Sequence, residues 1–262
     1  VRKNNVRLMY GENWVYAPPI QKARRLMAQS DSTILRIVGE QSHGGSHSEF
    51  AKQWRTAGGG SLFVKGVHPL GTALYLKYDE GVRKFGKPIR AKSVLCETAN
   101  LTYIKSFLKE EPKWVKTGWV DVEDWGTICI TFDDGSVAQV TASDNALGGI
   151  INLVTIYSSK STISCNISPN TTCIAYSPSN EVFGEEYIRE KVETKAGWQF
   201  TFPDEHWING YIAEIQDFAE CAAEDREPLS GVDLGRDVVI TAYGAYLSAE
   251  KGKRVDLKDW TG

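Results

Sequence analysis

Apolar and polar positions along this chain fall into two rhythms. The first is helical. Leu62, Phe63, Val64, Val67, Leu70, Ala73, Leu74 and Leu76 recur at steps of three and four, which predicts one buried helical face beginning near Ser61. Ile20 to Ala28 repeats the pattern with Ile20, Ala23, Leu26 and Met27, and Pro18 and Pro19 suit its first turn. Tyr211 to Ala223 places Ile212, Ile215, Phe218, Ala219 and Ala222 on one stripe, ended by Pro228. Val232 to Lys251 predicts a last helix through Val238, Ile240, Ala242, Ala245 and Leu247, interrupted by a left-handed turn at Gly235. The second rhythm is that of strands. Val6 to Met9 is a short apolar run. Ser32 to Glu40 and Ile89 to Glu97 read as strands. From Gly118 to Ser164 strands and turns follow one another, with Asp133 to Gly135 as a hairpin signal and a turn at Ser158 to Lys160.

Consecutive strands on short turns imply an α+β fold: an open, predominantly antiparallel sheet with helices packed on one face. The covering helices are expected to be those from Ser61, Tyr211 and Val232. Ser168 to Ser179 is polar and reads as a strand pair or a loop, and Glu185 to Thr194 as a charged surface strand or arm. There is no internal repeat and no low-complexity linker.

Composition narrows the classes. Apolar residues make up 42% and charged residues 24%, as in ordinary globular proteins. A net charge of −3 gives no footprint for nucleic acid or an anionic membrane. No apolar run reaches the roughly 18 residues that span a bilayer. The five cysteines are widely spaced, without C-x-x-C, and read as reduced thiols in a cytoplasmic protein. The start carries Glu12 and too short an apolar core for a signal peptide; without an initiating Met, it reads as a processed or truncated piece.

Candidate chemistry gathers at Trp54 to Leu76. Gly58 to Gly60 permit a tight turn and close backbone approach. His68 follows in the apolar run, between Gly66 and Pro69. The glycine costs a helix about 1 kcal/mol, and the proline interrupts one outside a first turn. A single imidazole at an interrupted helix suits chemistry; the plain alternative is a core histidine beside a packing glycine. His43 and His47 have the i, i+4 spacing of metal ligands, but Gly44 and Gly45 argue against a helix there and no nearby carboxylate completes a set. No metal is expected. Gly81 to Lys87 misses the phosphate-loop pattern, since Pro88 stands where Ser or Thr should be, and reads as a connection into the following strand.

The stretch AGGGSLFVKGVHPLGTALYL resembles the substrate-domain signature of the Gfo/Idh/MocA oxidoreductases: three glycines, an acid, then an apolar residue and His, often with Pro. ENWVYAPPIQKARRL upstream and the segment from Gly210 to Leu257 extend the likeness over nearly the whole chain. The resemblance implies residues 1–15 as a remnant of the last Rossmann strand and a linker. Residues 16–262 would be the substrate-binding and oligomerisation domain, with the N-terminal Rossmann domain missing. It implies a parent that uses NAD or NADP on a sugar, glycoside or cyclitol hydroxyl. This chain alone would be inactive and hold no cofactor, because G-x-G-x-x-G is absent and the family's Glu-Lys-Pro lysine has no counterpart. Alternatives are a non-catalytic carbohydrate-binding or scaffolding domain, or part of an NAD-dependent glycoside hydrolase.

Within that resemblance His68 is the expected base, with Lys65 assisting and Glu12, Gln41, His43, His47 and Trp54 lining the substrate pocket. The partner implied is a second copy, making a dimer or tetramer through the exposed sheet face. One departure stands out: four residues before His68, where the family has an aspartate, stands Val64.

Overall fold

The structure is a computed structural model that describes residues 2–4, 6–168, 173–188, 191–192, 194–201 and 204–258. The chain opens with a helical turn α1 (Asn13–Tyr16), capped by the Glu12 carboxylate, and continues into α2 (Pro18–Ser30). Strand β1 (Ile34–Ser42) leads through a loop to the short helices α3 (Trp54–Ala57) and α4 (Ser61–Val64) and the long α5 (Val67–Phe85). Then come β2 (Ala91–Ala99), β3 (Trp125–Phe132), β4 (Val137–Ser143), β5 (Ile151–Ser158) and β6 (Thr162–Asn166). A separate ribbon pairs β7 (Cys173–Ser177) with β8 (Gly197–Thr201). The chain ends with α6 (Glu205–Ile208), α7 (Tyr211–Glu224), α8 (Val232–Lys251) and the two-residue β9 (Val255–Asp256).

The main sheet runs β6-β5-β1-β4-β3-β2-β9. All its pairs are antiparallel except β1 with β4. Strict alternation sorts the strands into two faces. One row reads Cys165, Val154, Gly39, Val140, Ile128 and Cys96 across the sheet, and the helices bury it. The neighbouring row on the other face reads Ser164, Thr155, Val38, Gln139, Cys129 and Leu95, so that face is mixed rather than apolar. The core joins Ile20 and Met27 of α2, Leu70 and Leu74 of α5, and Val238 and Ala242 of α8 to the inner row.

Several sequence expectations need correction. The α+β class with a predominantly antiparallel sheet holds, but the strands do not lie in chain order. β1 lies between β4 and β5, because the seven residues 144–150 exceed a tight hairpin and step across one strand. The helices on the sheet are α2, α4, α5 and α8, which include those expected from Ser61 and Val232; α7 packs on α1 and α6 instead. Its supposed buried stripe is therefore largely solvent-facing, with Ile212 and Ile215 both exposed, while Glu214 is buried. Leu26 of α2 is also exposed. Val6 to Met9 forms no strand; Met9 makes a lone bridge to Gly231.

The segment from Gly81 continues α5 to Phe85, and Gly86 caps it in the left-handed region. Gly81 serves packing, since a Cβ there would sit 2.3 Å from the Ile89 nitrogen. The following strand begins at Ala91 rather than Ile89. Gly235 is ordinary helix: α8 is continuous, and the absent side chain admits Tyr10. β7 finds its partner in β8, outside the polar stretch from Ser168 to Ser179. Glu185 to Thr194 holds no strand among its described residues; 189–190 and 193 lie outside them.

Candidate functional site

The predicted interruption exists, at Gly66 rather than at Pro69. α4 ends at Val64 and α5 starts at Val67, so Lys65 and Gly66 form the joint. Gly66 is required there: a Cβ would meet the Leu62 carbonyl oxygen at 2.5 Å. Pro69 then falls in the first turn of α5, where its missing N–H costs nothing. It packs against Gly39 of β1, whose own Cβ would stand 2.7 Å from that of Pro69. This contact fixes His68 beside the C-terminal half of β1.

His68 is built into a carboxylate cluster. Its Nδ1 lies 2.8 Å from Oε1 of Glu12, and its ring stacks on Trp14 with centroids 5.6 Å apart. The Glu12 side chain is 1% exposed and that of His68 24%, so the imidazole is the part that reaches solvent. Glu12 passes along α5 at Gly71, where a Cβ would stand 3.1 Å from its Cγ. The same carboxylate accepts from the Trp14 amide and from the Tyr10 hydroxyl. Burial works against charging His68, but the Glu12 carboxylate, its hydrogen bond and Glu214 together raise the imidazole above its ordinary range. With Nδ1–H donated to Glu12, Nε2 is the atom left for a ligand.

Glu214, on α7, is the third member. It is 7% exposed, its Oε1 has no hydrogen-bond partner, and that oxygen lies beside Gly11. Burial first, then Glu12, push its carboxyl up to about 7, with His68 pulling the other way. The sequence reading missed this residue, because a glutamate on an amphipathic helix ordinarily faces solvent. Its only signal was its place between Ile212 and Ile215.

Gln41 follows Gly39 at a two-residue step, on the same face of β1 that meets Pro69, and His43 lies one residue beyond the strand. Gln41 pairs across the sheet with Asn152, and Gln41 Oε1 and Asn152 Oδ1 are both buried without partners. These acceptors suit a ligand rich in hydroxyl donors.

The other predicted site residues separate from His68. Lys65 is buried and turns to Asp144, with Nζ 2.7 Å from Oδ2. Burial lowers the Lys65 ammonium, and Asp144 opposes that shift. His43 is buried near this pair, and its Nδ1 accepts from the Gly45 amide at 3.0 Å. Burial first, then Lys65, hold it at about 3, so it is neutral at physiological pH. His47 is exposed on the loop. Among the described residues, no three metal-ligating side chains converge.

Trp54 stands with Tyr246 and Tyr243 of α8, its ring centroid 4.9 Å and 6.2 Å from theirs. There it frames the glycine turn. The Gly60 amide donates to Glu123 Oε2 and to the Tyr246 hydroxyl, and the Leu62 amide to Glu123 Oε1. A Cβ on Gly60 would lie 2.1 Å from the Glu123 carbonyl oxygen. Gly60 thus closes on a buried internal carboxylate, while Gly58 and Gly59 pack against Tyr243, Tyr246 and Phe63. The Gly60 and Leu62 amides are spent on it and do not offer a pyrophosphate cradle.

A cleft of about 670 Å³ opens elsewhere, beside Arg7, Arg90 and the start of α8. Its cations are engaged, Arg7 by Asp225 and Arg90 by Asp237. No helix among the described residues is long and apolar enough to cross a membrane.

Among curated proteins none matches the chain. Solved structures do. GenD2 from gentamicin A biosynthesis, in complex with NAD, superposes with a TM-score of 0.78 at 24% identity over 97% of this chain and 65% of its own. The apo scyllo-inositol dehydrogenase of Lactobacillus casei gives 0.65 at 16% identity, over 98% of this chain and 65% of its own. The myo-inositol 2-dehydrogenase of Lactobacillus plantarum gives 0.64 at 16% identity, over 94% and 63%. At such identities the likeness concerns the fold, and the chain spans less than two thirds of each of these proteins. The profile of the GFO/IDH/MocA C-terminal domain matches residues 20–164, more than half the chain, and so the chain belongs to the GFO/IDH/MocA family.

Proposed function

We propose that this chain is the substrate-binding part of an NAD(P)-dependent oxidoreductase acting on a hydroxyl of a sugar, glycoside or cyclitol. The observation that carries the reading is the buried Glu12–His68 pair, held at the end of β1 with the imidazole as its reachable end. A hydroxyl placed at Nε2 loses its proton to His68, and Glu12 stabilises the imidazolium that results. The unpartnered oxygens of Gln41 and Asn152 accept hydrogen bonds from further hydroxyls and orient the ring. The dinucleotide supplies a hydride acceptor in this class of reaction. The residues of this chain do not fit it, since the glycine turn is closed on Glu123. Residues 1–15 are then the link to the part of the protein that would hold it, and residues 16–262 the domain that binds substrate. This chain alone would be inactive.

In this reading Lys65 is held by Asp144 and His43 is buried beside that pair, and Trp54 and His47 lie beyond them. The mixed outer face of the sheet, with Val38 and Leu95 among polar neighbours, is the surface through which a dimer or tetramer would form; light scattering on the purified chain tests that.

The function is tested in a full-length protein carrying this sequence. NAD and NADP reduction would be followed over a panel of inositols, hexoses and methyl glycosides. His68→Ala is expected to lower kcat at least about 100-fold, the typical share of a general base. Near wild-type kcat and KM in that variant would make His68 structural. Release of free sugar from a glycoside without net NAD reduction would favour the hydrolytic alternative.

A further inference from the structure

Among the described residues, the His68 cluster sets two carboxylates, Glu12 and Glu214, against one imidazole. The charged groups that bear on it are Glu12, on the segment entering α1, His68 on α5 and Glu214 on α7. Tyr10 and Tyr16 also face Glu214 and are neutral phenols held above their ordinary range. No lysine or arginine of the described residues is among the groups that shift either His68 or Glu214. Glu12 is fully engaged by His68, the Trp14 amide and Tyr10. Glu214 has a buried oxygen with no partner at all.

A buried carboxylate needs a counter-charge or a proton. Among the described residues, the one group beside them that can carry positive charge is His68, and its Nδ1 is engaged by Glu12. Resting on the reading that this is the substrate site, we propose that Glu214 receives an ammonium group of the substrate, so that the preferred ligand is an amino-substituted cyclic polyol. The neutral hydroxyl of a plain cyclitol can also donate to Oε1, but it leaves the surplus charge in place. In the free protein a proton does that work near neutrality, and the ligand's ammonium displaces it.

The test uses the 262-residue chain and a matched pair, scyllo-inosamine and scyllo-inositol, which differ by one amine for one hydroxyl. Binding is followed by the NMR signal of the His68 ring, assigned with His68→Asn. At pH 7.5 the amine is expected to bind about tenfold more tightly, the usual gap between a charged and a neutral hydrogen bond. Glu214→Gln should abolish that advantage, so that the two ligands bind within about twofold of one another. Lowering the pH to 5.5 should erase it in the wild type, because Glu214 then holds its own proton.

Equal affinity for the two ligands would overturn the proposal and leave the substrate-site reading intact. Failure of both to perturb His68 would overturn that reading as well. N1-methylnicotinamide serves as a third probe: Glu214-dependent binding of this cation, without any preference for the amine, would assign the surplus charge to a cofactor ring and likewise overturn the proposal.

Discussion

Oε1 of Glu12 stands 2.8 Å from Nδ1 of His68, although 56 residues separate them along the chain. The family pattern would place an acid at position 64, four residues before the histidine. Here that residue is Val64, at the end of α4, and the break at Lys65 and Gly66 takes it off the helix that carries His68. The carboxylate reaches the imidazole from another element instead. Glu12 thus pairs with His68 in geometry, where the sequence suggested a pocket-lining residue.

The first expected outcome follows directly. Glu12→Gln removes the nearest charge that favours the imidazolium, so the His68 pKa should fall. Val64→Ala should leave it almost unmoved. Titration of the ring by NMR between pH 4 and 9 measures both, and an unchanged His68 in Glu12→Gln would show that the pair is not electrostatically coupled.

Local rhythm made most elements legible. α2, α5, α8 and the β3–β4 hairpin follow from spacing and from one turn signal. The parallel β1–β4 pairing was not legible, because such a pair leaves no turn between its strands to read. The burial of α7 was misread because apolar spacing says which face is apolar, not which is covered. In the site, His68 was marked by its helix break. Its partners were not: Glu12 and Glu214 come from elements whose packing no single stretch encodes. Lys65 was close enough in sequence to suggest chemistry, yet its ammonium is committed to Asp144.

That commitment yields a stability prediction. The side chains of Lys65 and Asp144 are 6% and 2% exposed. Lys65→Met leaves Asp144 buried without its cation and should cost about 3–5 kcal/mol in urea unfolding. The double variant Lys65→Met with Asp144→Asn should recover much of that loss, because no charge is then stranded. Wild-type stability in the single variant, with turnover abolished in the full-length protein, would return Lys65 to the chemistry.

The glycine turn gives a second one. Gly60→Ala would press a methyl group against the Glu123 carbonyl oxygen and its carboxylate, contacts of 2.1 Å and 2.5 Å before relaxation. The amides that satisfy buried Glu123 would have to move with it. A loss of about 3 kcal/mol or more is expected from overpacking combined with a broken buried hydrogen bond. Gly135→Ala is the control for added bulk at a glycine: no atom lies within 4 Å of its Cβ position. Its positive φ of 86° still carries a strain cost of about 1 kcal/mol. Equal losses in the two variants would mean that the close approach to Glu123 contributes little.

The last prediction concerns pH. Glu214 has an ordinary value of 4.5 and is pushed up to about 7 in the fold. The folded state therefore binds the proton more tightly than the unfolded chain. Its contribution is full below pH 4.5 and is lost as pH rises through 7. His68, also raised, acts in the same direction, its contribution being full below 6.5 and lost through its higher folded value. His43 is opposite: at about 3 in the fold against 6.5 unfolded, it stabilises above 6.5 and is lost on acidification. Wild-type stability should thus be squeezed from both sides. Glu214→Gln should gain on the wild type as pH rises from 4.5 to 8, by at most about 3 kcal/mol, since each pH unit carries about 1.4 kcal/mol. His43→Gln should instead flatten the acid limb. Urea unfolding of the three proteins at pH 4.5, 6 and 8 separates these effects. A Glu214→Gln variant whose difference from wild type stays constant across that range would show that Glu214 is ionised and solvated in the fold, not buried beside Glu12.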